Sequence, residues 1–120
     1  MPANMKPPRT VAELVDSYVA SRPTMKAGSA RQLRFSEKAF AAFLKCPPTL
    51  GHLTDDTFNQ FAAWRLQTSS PATAKRNCDH LILLWTFAAE RSYVNVRPSN
   101  VTKVRITRRK PDSWTLTALP

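Results

Sequence analysis

The sequence predicts an all-α domain of four helices, and three observations carry that prediction. Helix-start signals stand at four places: Thr10-x-x-Glu13, Ser29-x-x-Gln32, Thr54 followed by Asp55 and Asp56, and Ser70-Pro71. Between them apolar residues recur at three- and four-residue steps, the period of a helix with one buried face. The ten prolines cluster at the ends and between the periodic segments, where a helical chain tolerates them, and there are only two glycines.

Residues 1–9 lack periodicity and read as a short disordered lead. Thr10 and Glu13 form a capping box, and Val11, Leu14, Val15, Tyr18 and Val19 follow on one face, so a first helix of about three turns ends near Arg22-Pro23. Ser29 and Gln32 open a second helix that runs to about Lys45, before Pro47-Pro48. At roughly 100° per residue, Leu33, Phe40, Phe43 and Leu44 share one side, and Arg31, Arg34 and Lys38 share the other. Arg31 and Arg34 lie in the first turns, where the helix dipole favours carboxylates, so helix energetics do not account for them; a phosphate partner, or an ordinary solvated face, would.

In the third helix Thr54 is the cap, Asp55 and Asp56 complement the dipole, Leu53 can staple onto Phe58, and Phe58, Phe61, Ala62 and Trp64 are candidates for the core. The fourth helix is the spine. Ser70 caps it, Pro71 takes its first position, and Ala74, Cys78, Leu81, Trp85, Ala88 and Ala89 supply a long apolar seam behind a polar head of Thr73, Lys75 and Arg76. Leu83 and Phe87 fall beside His80, off the seam, and are expected to pack under the first helix or to dock another domain. From Val94 to Pro111, Val, Ile and Thr alternate with basic residues; a lone strand has no partner here, and the segment reads as a linker.

Charge narrows the function. Eighteen Lys and Arg against eight Asp and Glu give a net charge of +10, which points to a polyanionic partner. Lys103, Arg105, Arg108, Arg109 and Lys110 supply half of that excess from outside the predicted core. Two isolated cysteines, Cys46 and Cys78, without a CxxC pair or a signal peptide, fit a reducing cytoplasm. No apolar run approaches the roughly 20 residues of a membrane span. Glycine-rich phosphate loops, HExxH, GxSxG and zinc-finger spacings are missing; the only histidines, His52 and His80, form no ligand set with the cysteines, so neither a metal nor another cofactor is expected.

The order of helices, the basic second helix and the pattern Thr73-x-Lys75-Arg76-x-Cys78-x-x-Leu81-x-x-Leu84-Trp85-x-Phe87-Ala88 resemble the core-binding domain of tyrosine recombinases, the phage-integrase family. The resemblance covers Thr10 to Val101 and extends to residues 111–117 as the approach to a catalytic domain; Arg97-Pro98 stands where the family often has Asn-Pro, and Cys78 where a larger aliphatic is common. It implies a SAM-like orthogonal four-helix bundle over residues 10–101, with residues 102–120 as basic linker and the start of a catalytic domain this chain lacks.

It also implies that the chain itself is not an enzyme: it would clamp duplex DNA at a crossover site, be monomeric alone, assemble on DNA, and work in a bacterial or phage-encoded recombinase beside the parent's C-terminal catalytic domain. Carried over, the DNA-binding residues are Arg31, Arg34, Lys38, Thr73, Lys75, Arg76 and the linker cations Lys103, Arg105, Arg108, Arg109 and Lys110. Arg34 and Lys38 would read bases, and Arg31, Thr73, Lys75 and Arg76 would position the backbone. Two alternatives stay open: an RNA-binding helical protein, against which stands the lack of evident exposed aromatics for stacking, and a protein-interaction module using Leu83 and Phe87.

Overall fold

Ser70, Pro71 and the apolar seam behind them form the longest helix, Pro71–Glu90. The Ser70 hydroxyl accepts the Thr73 N–H at 3.2 Å, and Pro71 occupies a position whose N–H would have no intrahelical partner. A computed structural model describes residues 7–102. Within them α1 is Val11–Ala20, α2 is Ala27–Leu44, α3 is Asp55–Thr68 and α4 is Pro71–Glu90, with a 3-10 turn over Leu50–His52 before α3 and no strand among the described residues. The protein is thus an all-α bundle. Helix α4 packs against the other three, most extensively α2, through buried Ala74, Cys78, Leu81, Leu84, Trp85 and Ala88.

The start of α1 is tied at two levels. Thr10 Oγ1 accepts the Glu13 N–H at 3.1 Å, while the Glu13 carboxylate accepts from Arg9 N rather than from the cap residue itself. One residue either side of that cap, Val11 N–H donates to Pro48 O and Leu50 N–H to Arg9 O, so the loop after α2 is stitched to the front of α1. Val11, Leu14, Val15 and Tyr18 are buried as their spacing predicts.

Helix α2 begins two residues before the predicted capping box. Lys26 is its N-cap without a side-chain bond, and the N–H groups of Ser29 and Ala30 already donate to Lys26 O. Helical bonding is therefore established before Ser29 could cap it. The helix ends at Lys45, in the left-handed region at φ 61°, with Pro47 beyond. Leu33 and Phe40 are buried, Phe40 packs edge-to-face on Phe61 of α3 at 5.3 Å, and half-buried Phe43 reaches Phe61 and Trp64.

Phe87 and Leu83 part company. Phe87 is buried, edge-on to Tyr18 of α1 at 5.1 Å, with the Arg91 guanidinium carbon 4.9 Å from its ring centre; Leu83 stays exposed. The segment read as linker also divides. After α4 the chain turns through Ser92 at φ 62°, and Trp85 Nε1 donates to Val96 O at 2.9 Å. Ser99 and Asn100 then donate to the Asp55 carboxylate, while the Asn59 amide donates to Asn100 O and accepts from Thr102 N. Up to Thr102 the backbone is docked on the first turns of α3, because two side chains there satisfy its polar groups.

Candidate nucleic-acid interface

The polar head of α4 faces α2 across the end of α3, and the three helices leave a cleft of about 430 Å³ lined by Gln32, Phe35, Lys38, Arg65, Thr73, Arg76 and Asn77, together with Ala39. Three cations, one from each helix, stand around it, and no carboxylate lines it. A larger cavity, about 530 Å³, runs along α1, but Glu13 and Asp16 oppose its single Arg9. The cleft is the better anion site.

What holds the cleft in shape is a buried chain of hydrogen bonds. Asn77 is 5% exposed and Ser36 fully buried. Arg65 Nε donates to Asn77 Oδ1 at 2.8 Å, and Asn77 Nδ2 donates to Ser36 Oγ at 3.0 Å. Ser36 Oγ, already accepting, gives its own hydrogen to His80 Nδ1 at 2.7 Å. That order of donors leaves His80 Nδ1 an acceptor and places the neutral ring's proton on Nε2. Burial, with the Arg76 guanidinium nearby, lowers the His80 pKa from its ordinary value, in keeping with a neutral ring; Asp79 and the Gln32 backbone act in the opposite sense.

The chain has a consequence for Arg65. Its Nε is engaged by Asn77 and its guanidinium carbon lies 5.8 Å from the Trp64 ring centre, while its terminal amino groups form no hydrogen bond among the described residues. A guanidinium fixed at Nε presents its outer fork to an oxyanion at little further entropic cost. Arg76 lines both this cleft and an adjoining depression of about 290 Å³ with Ala72, Lys75, Asp79 and His80. The Thr73 hydroxyl accepts from Ser70 Oγ at the head of α4, whose first N–H groups carry the positive end of the helix dipole.

The sequence-derived residues therefore separate. Lys38, Thr73 and Arg76 converge on the cleft. Arg34 turns to α1 and pairs with Asp16 at 2.6 Å, and Lys75 pairs with Asp79 one turn along α4 at 2.7 Å; both pairs are well exposed and are weak competitors for a phosphate. Arg31 is exposed on α2 and is not a lining residue of the cleft. Lys103, Arg105, Arg108, Arg109 and Lys110 lie outside the described residues.

Sequence reasoning missed Arg65, Gln32, Phe35 and Asn77. Two of them left a signal: Asn77 is a polar residue inside the apolar seam of α4, and Phe35 is an apolar residue inside the basic side of α2. Phe35 is 57% exposed, so an exposed aromatic beside basic residues does exist, contrary to the expectation that none is evident.

Both cysteines are free. Cys78 is buried, and burial, helped by Asp79 and opposed by Arg65, pushes its thiol up to about 11, which makes it an inert packing group. His52 accepts the Thr49 N–H and thereby caps the 3-10 turn. No group of three or more His, Cys, Asp or Glu side chains gathers at one place among the described residues, and none of their helices is long and apolar enough to cross a membrane. Compared with family models, curated proteins and solved structures, the chain matches none.

Proposed function

We propose that this chain is a DNA-binding module that grips the sugar-phosphate backbone of a duplex in the cleft between α2 and the head of α4. The carrying observation is the convergence of Lys38, Arg65 and Arg76 from three helices around a cleft without carboxylates, with Arg65 held by buried Asn77. Such a site neutralises phosphates and releases counterions, so its affinity falls as salt rises. Thr73 and the N-terminus of α4 add neutral donors to the same anion.

In this reading the chain acts as the clamp half of a site-specific recombinase of the tyrosine type, beside a separate catalytic domain that cuts and rejoins strands. The helix order and the α4 pattern Thr73-x-Lys75-Arg76 through Phe87-Ala88 support that assignment. The interaction-module alternative loses ground because Phe87, half of its contact patch, is occupied by Tyr18.

The test is a salt titration of binding to a 20-base-pair duplex, followed by fluorescence anisotropy, with a duplex RNA of the same sequence alongside. Lys38→Ala and Arg76→Ala, both at exposed positions, should each reduce the slope of log K against log salt by about 1, and the pair by about 2. Arg34→Ala and Lys75→Ala should change it less, since their charges are already shared with Asp16 and Asp79. Binding that ignores the Lys38 and Arg76 double substitution would refute the cleft as the phosphate site, and a preference for the RNA duplex would transfer the reading to RNA.

A further inference from the structure

Phe35 is the most exposed large hydrophobic residue among the described residues, and it lines the cleft with Lys38, Arg65 and Arg76. Single exposed apolar side chains are ordinary on protein surfaces. This one is set apart by its company: a phenyl ring beside Gln32 and Lys38 on α2, in a concavity that Arg65 of α3 and Thr73 and Arg76 of α4 also line. An intact duplex offers phosphates and sugars to such a wall, and those give a phenyl face nothing to stack on. An unstacked base does: every nucleobase has a π-face, and base-aromatic stacking is tolerant of sequence.

From this we infer that the cleft receives one extruded nucleotide of the bound DNA, its base stacked on Phe35 and its phosphate on Arg65 and Arg76. The inference rests on the DNA-backbone reading above and adds the nucleobase to it. The dimensions agree, because about 430 Å³ lies in the range of roughly 300 to 1,000 Å³ that holds small ligands. The chemistry agrees as well. Gln32 carries both an acceptor and donors and can meet a base edge, while the outer amino groups of Arg65 are left for the phosphate. Asn77 and Ser36, buried behind the cleft, keep Arg65 at a fixed place relative to α2, which carries Phe35.

Three DNA duplexes of one sequence test this: fully paired, with a single bulged adenosine, and with an abasic residue at the bulge. The abasic version keeps the backbone distortion and removes only the base. The full chain should bind the adenosine bulge about tenfold more tightly than the abasic bulge, the scale of one stacked base. Phe35→Ala should bring that ratio to about one, and Phe35→Tyr should preserve it. Circular dichroism establishes that each variant is folded, as expected for a surface position.

Equal affinity of the unmodified chain for the two bulges would overturn the inference. So would a ratio that survives Phe35→Ala, or one that Phe35→Leu maintains in full, since a leucine offers no π-face. In those cases salt-dependent binding to the paired duplex still stands for the backbone reading. Loss of binding to all three duplexes refutes both.

Discussion

Asn77 is a buried amide with a partner at each end, and it joins three helices through Arg65 and Ser36. A half-satisfied network would cost more than an apolar core, so its worth depends on His80 staying a neutral acceptor for Ser36. The pH dependence follows. The His80 pKa is lowered in the folded protein from an ordinary 6.5, so above 6.5 this group costs no stability; below it the unfolded chain takes up the proton first, and stability falls as the pH drops through the folded value. Urea unfolding at about pH 7.5 and about pH 5 should show a loss of midpoint at the lower pH that is smaller in His80→Gln; an unchanged pH dependence in that variant would count against the role given to the ring. At this scale the site was only half legible. Lys38, Thr73 and Arg76 follow from charge and helix position, but Arg65 belongs to a helix that opens on Asp55 and Asp56, and only packing brings its last turn to α4. Conversely, periodicity places Arg34 with Lys38, yet it cannot foresee that Asp16 of another helix will claim it.

Among the elements, α3 does two jobs at its two ends. Its C-terminal turn supplies Arg65 to the cleft; its first turns receive the backbone of residues 99–102 through Asp55 and Asn59. The Ser99 N–H, then its hydroxyl, and the Asn100 N–H hold the Asp55 carboxyl below its ordinary 3.8. Its contribution is therefore complete above that value and fades as the pH falls through the lower folded one. At neutral pH, Asp55→Ala should speed amide exchange at Asn100 roughly tenfold or more while Leu81 and Trp85 exchange as before; equal rates would mean that Asn59 and Trp85 hold the tail unaided. The elements themselves were well marked. Thr10, Thr54 and Ser70 cap as their side chains dictate, whereas Ser29 does not, because helical bonding to Lys26 precedes it. The docking of residues 99–102 left no local signal, for it rests on pairs more than 40 positions apart and on a carboxylate already explained by the helix dipole.

Over the whole molecule the core is a single cluster in which α4 touches every other helix, and truncating its centre should be felt globally. Leu81→Ala, at a site 1% exposed, should cost about 2–5 kcal/mol, a large part of the roughly 5–15 kcal/mol that holds a domain of this size. Leu83→Ala, half a turn away and 39% exposed, should stay within about 0.5 kcal/mol. Thermal melts followed by circular dichroism distinguish the two; similar melting shifts would contradict the burial assigned to this helix. The seam of α4 made that core readable in outline, and Phe87 joins it through edge-on partners, Tyr18 and Tyr93, that lie outside that seam. The docked tail, finally, limits reach. Thr102 is pinned to Asn59, and the next eight residues carry Lys103, Arg105, Arg108, Arg109 and Lys110. Asn59 and Arg65 are six positions apart on α3, about 9 Å along its axis at 1.5 Å per residue. The docked tail therefore ends less than two helical turns from Arg65, on the same helix that carries the guanidinium of the cleft.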